Sequence, residues 1–174
     1  MTAVAGTVYT AANWNTHIRD NLNATGVGVL SSGMGRYLAT TGLGSVAERA
    51  GAVGVIATGQ STASATFVDL ATVGPTATPA TGVRALVVFG AAISNSTAGA
   101  GGRVSVALSG SNTQAAADTN SFYAESGLAG DGFQGSWVTV FTPITAGTTT
   151  FTLKYRAVGG TATFANRAVS IIPF

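Results

Sequence analysis

The side chains able to do chemistry are few and dispersed. The chain has 174 residues with one histidine, His17, and no cysteine. A Ser-His-Asp nucleophile would have to use His17, which lies far along the chain from the loops of the body. The acids able to act as a pair, as in glycoside hydrolysis, are Asp118, Glu125 and Asp131. Turn formation is the commoner role of Asp at such positions, so we predict that the chain is not an enzyme.

Metal and cofactor sites are not expected either. Gly130-Asp131-Gly132 lacks the further oxygen ligands of a calcium loop, and the His and Cys spacing of a zinc site is absent. Gly26-Val27-Gly28 lacks the third glycine of a dinucleotide-binding turn. We therefore predict no cofactor.

Charge is scarce, at 8% of residues against about a quarter in an average soluble protein. The eight cations are scattered and form no basic stripe, so nucleic acid is not an expected partner. No apolar run approaches the ~18 residues of a spanning helix and no signal-peptide pattern is present, so we expect no membrane partner and synthesis in a cytoplasm. The scarcity of charge fits either a surface covered by other chains or a hydroxyl-rich β surface, and both interpretations stay open.

A short amphipathic helix is predicted near the N-terminus. Thr10 is a suitable N-cap, and Trp14, Ile18 and Leu22 follow at helical spacing, so that one face is apolar. A helix of about a dozen residues is marginal alone in water and needs a surface on which to pack. Residues 1–23 are therefore predicted to be an anchor, with its interface at Trp14, Ile18, Arg19 and Leu22.

Two further regions follow the anchor. Residues 24–63 are rich in Gly, Ser and Thr, without a helical period, and are predicted to be an extended arm. From residue 64 to 174 the pattern changes to short period-two runs separated by turn residues. About eight such runs predict a mainly β protein, in which a short α-helix and an extended arm precede a C-terminal jelly-roll-like β-sandwich. The last strand is predicted to be central, because an apolar terminus would be a liability if it were free.

A ligand surface is most easily placed on the long polar loops. Residues 110–120 and 126–135 are the longest such segments, and binding residues concentrate on loops. The predicted ligand-loop residues are Phe122, Tyr123, Asp131 and Phe133. Trp137 is also aromatic but is predicted to belong to the core.

Several segments resemble known proteins. Residues 8–22, VYTAANWNTHIRDNL, carry the pattern T-A-A-x-x-N-x-x-x-R-D-N, which resembles the N-terminal segment of small structural proteins of tailed bacteriophages, particularly those of actinobacteria. Residues 36–42 and 47–49 resemble the connecting arm of the same proteins. The body resembles the C-terminal β domain of phage head-fibre, decoration or tail-fibre proteins, in residues 67–75, 85–87, 151–156 and 160–167.

The resemblance implies a virion structural protein at the surface of the phage particle, made in the host cytoplasm. It implies a homotrimer whose anchor binds the major capsid protein or another virion protein, as a capsid decoration or head-fibre protein does. The alternative is a tail-tip or short tail-fibre adhesin that binds a host-surface glycan through the sandwich loops. Tail fibres usually carry repeats or coiled-coil shafts, and this sequence has neither, so the capsid is the preferred location.

Overall fold

A computed structural model describes residues 10–14, 35–42 and 45–174. The chain divides into two compact units, Met1–Arg49 and Ala50–Phe174. In the first unit a single helical turn, α1 (Ala11–Trp14), precedes β1 (Arg36–Gly42), which pairs with β2 (Ser45–Ala50). Arg36 Nε lies 3.3 Å from Glu48 Oε1 across this pair of strands.

The second unit consists of two antiparallel five-stranded sheets. The strands of the first sheet are β3 (Ala52–Ile56), β4 (Gln60–Thr62), β7 (Ala85–Asn95), β10 (Gly132–Phe141) and β12 (Ala162–Pro173). The strands of the second sheet are β5 (Thr76–Ala77), β6 (Ala80–Thr81), β8 (Ala100–Gly110), β9 (Ser121–Ser126) and β11 (Gly147–Val158).

The order of the strands is that of a jelly roll. The strand order of the first sheet is β10-β7-β12-β3, and β4 also pairs with β12. The strand order of the second sheet is β5-β11-β8-β9, and β6 also pairs with β11. Apart from β4, β6 and β9, each of which lies in the same sheet as the strand before it, successive strands cross between two packed antiparallel sheets, as in a double Greek key. The predicted fold class, a mainly β protein with a jelly-roll-like sandwich, is confirmed.

Alternation of side chains explains how each strand contributes to the core. In β11 the side chains of Phe151, Leu153 and Tyr155 are fully buried, whereas the residues between them face outward. Successive side chains of a strand point to opposite faces, so one period-two run fills the interior and coats the surface. The sequence alternates in the same way, and its period-two pattern predicts that Phe151, Leu153 and Tyr155 face one way and Thr152, Lys154 and Arg156 the other. This prediction is confirmed.

The core lies between the two sheets and is built from aromatic and branched side chains. The rings of Tyr155 and Phe164 approach to 4.9 Å between centroids, and those of Phe141 and Phe151 to 5.9 Å. Gly102 packs directly against the opposite sheet, because an added Cβ would lie 2.8 Å from both Ile93 Cγ2 and Phe164 Cζ.

The sandwich includes residues that sequence analysis placed in the arm. β3 pairs with β12 from Ala52 to Ile56, and β4 pairs with the same strand, so the second unit begins at Ala50 and not at residue 64. Residues 66–71 form no strand and contribute one isolated bridge, from Val68 to Tyr155. β12 is central, as predicted, although the side chains of Ile172 and Phe174 remain 38% and 40% exposed.

Candidate interaction surfaces

The outward side of the first sheet carries no charged side chain. The only charged residue in its five strands is Arg167, which points inward and is fully buried. A row of direct partners, Val53, Ser170, Val88 and Val138, crosses the whole sheet from β3 to β10. We call this surface the uncharged face and define it by Val53, Val55, Val88, Val138, Val140 and Ile172.

The apolar side chains of the uncharged face are strongly exposed at its two borders. Val53 and Val55 on β3 are 67% and 65% exposed, and Val138 and Val140 on β10 are 55% and 50% exposed. Valine is normally buried, and contiguous exposed apolar patches mark sites of interaction. Two apolar ridges therefore border this face.

A groove of about 370 Å³ lies between the two ridges. Its lining extends from Val53 on β3 to Ser136 on β10, across the central strands β12 and β7. The side chains between the ridges are small, at Gly90, Ala168 and Ser170, which leaves the middle of the sheet recessed. The uncharged face is therefore concave.

β10 forms the border of this sheet and exposes apolar side chains on both of its sides. Among the described strands it pairs with β7 alone, and none of its residues is charged. Phe133 and Trp137, opposite the core residues Ile93 and Phe89, are 55% and 46% exposed, so the prediction that Trp137 belongs to the core is wrong. Edge strands are usually protected by charged residues or proline, and β10 has neither.

The outward side of the second sheet, by contrast, gathers most of the charges of the sandwich. We call it the charged face, and its members are Asp69, Arg103, Asp118, Glu125, Lys154 and Arg156. Arg156 binds Asp118 through two hydrogen bonds, of 2.9 Å from Nε and 2.6 Å from Nη2. Lys154 Nζ lies 2.6 Å from Asp69 Oδ2. Cations and carboxylates therefore alternate and neutralise one another across this face.

A loop folded over the charged face positions Asp118. Ser105, fully buried on β8, places its hydroxyl 3.0 Å from the carbonyl oxygen of Ala117 and 2.8 Å from that of Asn120. These contacts hold the 3-10 turn Asp118–Asn120 beside Arg156. The hydrogen bond from Arg156 lowers the pKa of Asp118, so this carboxyl stays ionised and is a poor general acid.

Tyr123 and Glu125 extend the charged face onto β9. The Tyr123 hydroxyl donates to Glu125 Oε2, and the guanidinium carbon of Arg103 lies 4.6 Å from the centroid of the Tyr123 ring. The hydrogen bond to Glu125 raises the pKa of Tyr123. Both acids that could have formed a catalytic pair with Asp131 thus have partners of their own, and Asp131 itself is exposed before β10.

The predicted ligand-loop residues do not form one surface. Phe122 and Tyr123 lie in β9 and Phe133 in β10, so three of the four are strand residues. Phe122 points into the core and is 9% exposed, whereas Tyr123 lies on the charged face. The ring centroids of Phe122 and Phe133 are 6.2 Å apart, so the structure brings these two of the four together.

The predicted anchor is described only at its start. Trp14 is the last residue of α1, and Thr10 directly precedes this helix. Ile18, Arg19 and Leu22 lie outside the described residues, as does His17. The anchor interface therefore stays a prediction.

Within residues 10–14, 35–42 and 45–174, no group of three or more His, Asp or Glu side chains could hold a metal ion. In the same described part of the chain, no helix is long and apolar enough to span a membrane.

Comparisons with known proteins give a partial structural likeness to viral structures. No family model and no curated protein matches the sequence. The "Structure of infectious bursal disease virus Gt strain" aligns at a TM-score of 0.40 with 14% identity, covering 71% of this chain and 31% of the other. The Gx strain of the same virus aligns at a TM-score of 0.39 with 15% identity, covering 73% and 34%. A likeness of this degree identifies neither a family nor a function.

Proposed function

We propose that this chain is a non-enzymatic structural protein of a bacteriophage particle, held on the capsid surface as a decoration or head-fibre protein. The observation that carries the proposal is the division of the sandwich into a charged face and an uncharged face. A surface divided in this way suits a protein that is solvated on one side and covered on the other. The assignment to a phage particle rests on the resemblance of residues 8–22 to phage virion proteins.

Attachment falls to the N-terminal segment in this proposal. Trp14, Ile18, Arg19 and Leu22 bind the major capsid protein or another virion protein, while the charged face meets solvent. Several copies held together would multiply a weak contact through effective concentration, so that a short anchor suffices. The cations and carboxylates of the charged face neutralise one another in ion pairs. Such a surface stays solvated and does not attract nucleic acid.

The test is incorporation into particles. Phage carrying Trp14→Asp with Leu22→Asp should yield virions that lack the protein, because two carboxylates on the apolar side of the anchor would have to be desolvated. The matched control is Val73→Asp with Val83→Asp, which places the same charges at valines 58% and 55% exposed in the sandwich. Both proteins should have the circular dichroism of the wild type, and quantitative mass spectrometry of purified virions measures incorporation. Normal incorporation of the anchor variant contradicts the proposal.

A second function is favoured by one observation, the exposed aromatic pair Phe133 and Trp137 on β10. Aromatic side chains with accessible faces are frequent in ligand sites, and a tail-tip or short tail-fibre adhesin would use them against a host-surface glycan. Under this alternative, Phe133→Ala with Trp137→Ala slows adsorption of the phage to host cells. Unchanged adsorption of particles that lack the whole protein argues against it.

A further inference from the structure

We infer that a second copy of this chain packs against the uncharged face. The inference concerns the contact between copies and holds wherever the protein resides. It starts from the register of the first sheet, which places Val53 and Val138 at opposite ends of one row, with Val88 between them.

The absence of charge on this face indicates which kind of partner packs against it. Because Arg167 is buried on the inward side and no other residue in the strands of the first sheet is charged, the face offers no electrostatic complement to a basic or acidic partner. Interfaces between identical subunits are the more apolar class and resemble a core cut in two. The surface that matches an uncharged β-sheet is another uncharged β-sheet, and every copy of this chain carries one.

The size of the face is sufficient for a stable contact. The strands β7, β10 and β12 have 11, 10 and 12 residues, and the shorter β3 and β4 lie beside β12. At about 4.8 Å between strands and about 3.3 Å per residue, they cover on the order of 600 Å² in projection. One partner of a standard interface contributes about 800 Å² of accessible surface. Because side chains project from the sheet, the accessible area of the face is larger than its projected area. The face alone therefore approaches the area that one partner of a standard interface contributes.

The shape of the face is self-complementary. Its ridges, at Val53 and Val55 on one border and Val138 and Val140 on the other, flank a groove of about 370 Å³ floored by small side chains. A ridge of one copy can enter the groove of another, as side chains interdigitate between packed sheets. The same two features on each copy are what a symmetric contact requires.

The border strand adds an independent argument. β10 has apolar side chains on both sides and an edge without lysine or proline, and such edges aggregate unless they are covered. A second copy on the uncharged face covers Val138 and Val140 and lies beside this edge. The contact therefore buries two of the four large apolar side chains that β10 exposes.

The first test is the mass of the full-length protein in solution. Light scattering should show a multiple of the 17.1 kDa chain at micromolar concentration. Val53→Asp with Val138→Asp should weaken association at least ~100-fold, because each carboxylate would be buried without a partner. Val73→Asp with Val83→Asp, the same substitution at equally exposed valines, should leave the mass unchanged.

The second test does not depend on how a charged variant folds. The chain has no cysteine, so Val138→Cys supplies a single thiol on the uncharged face. Val73→Cys supplies a comparably exposed thiol at a residue outside the strands of that sheet. Maleimide should label the first thiol several-fold more slowly at high protein concentration than after dilution to the monomer, and the second at a constant rate. A monomeric wild type, an unchanged mass in the Val53/Val138 variant, or equal labelling at both concentrations would each overturn the inference. None of these outcomes bears on virion attachment, which the anchor variant tests separately.

Discussion

The guanidinium carbon of Arg167 lies 5.4 Å from the centroid of the Tyr155 ring. Both side chains donate to the carbonyl oxygen of Gly74, Tyr155 Oη at 2.8 Å and Arg167 Nη1 at 3.2 Å. Arg167 turns inward where the register of β12 shifts between Ala165 and Ala168, beside Asn166 with a φ of 48°. A fully buried cation thus ties the loop that precedes β5 to the inside of the sandwich.

Replacing Arg167 by methionine should lower the free energy of unfolding by about 2–4 kcal/mol. Methionine keeps much of the volume but removes the donors to the carbonyl oxygens of Thr58, Thr72 and Gly74, which stay buried or partly buried. Chemical denaturation measures the loss. Arg84→Met, at an exposed position, should stay within about 0.5 kcal/mol of the wild type. If Arg167→Met lost no more unfolding free energy than Arg84→Met, the donors of Arg167 would not stabilise the fold.

Alkaline pH should destabilise the protein through Tyr155. Burial raises the pKa of the Tyr155 phenol, so its contribution is complete below the unfolded value of about 10 and is lost as the pH rises toward the folded value. The difference in unfolding free energy between wild type and Tyr155→Phe should therefore shrink between about pH 8 and about pH 11. Denaturation curves at the two pH values measure it. A constant difference would mean that Tyr155 ionises alike in both states.

Acid should weaken the charged face through Asp118. The hydrogen bond from Arg156 lowers the pKa of Asp118, so its contribution is present above the unfolded value of about 3.9 and is lost as the pH falls through the folded value. Because the side chain of Asp118 is 53% exposed, we expect Asp118→Asn to cost at most about 1 kcal/mol at neutral pH. This cost should vanish in acid and diminish in 1 M salt, at about a 3 Å Debye length. A cost independent of pH and salt would rule out an electrostatic origin.

Gly102→Ala should destabilise the sandwich by about 1–3 kcal/mol. The added Cβ would lie 2.8 Å from Ile93 Cγ2 and from Phe164 Cζ, so these two core side chains or the strands that carry them have to move. Gly127→Ala is the matched control, because nothing lies within 4 Å of its added Cβ. Thermal unfolding followed by circular dichroism compares the two variants. Equal melting temperatures would show that the core accommodates a methyl group at Gly102 without cost.

Local alternation was enough to predict the sandwich and the facing of a long strand such as β11. It was not enough for β3, since Ala52–Ile56 is short, lies between glycines, and pairs with a strand distant in sequence. Trp137 shows the same limit. Its spacing places it on the inward side of β10, but its exposure follows from the position of β10 at the border of the sheet, which only the strand order reveals.

The candidate surfaces were predictable only in part. The scarcity of charge is visible in the composition, and both a covered surface and a hydroxyl-rich one fitted it. Which side of the molecule lacks charge depends on which strands share a sheet. Val53 and Val138 are far apart in sequence and belong to one row only because β12 and β7 lie between them.

The central position of β12 has a consequence for the folding rate. β12 pairs with β3 and β4 on one side and with β7 on the other, and the contact between Arg167 and Thr58 joins residues 109 positions apart. The entropy of closing so long a loop is lost before these pairings can offset it. We therefore expect folding in milliseconds to seconds, as is usual for sandwiches with many non-local contacts, with insertion of β12 as the step that completes the first sheet.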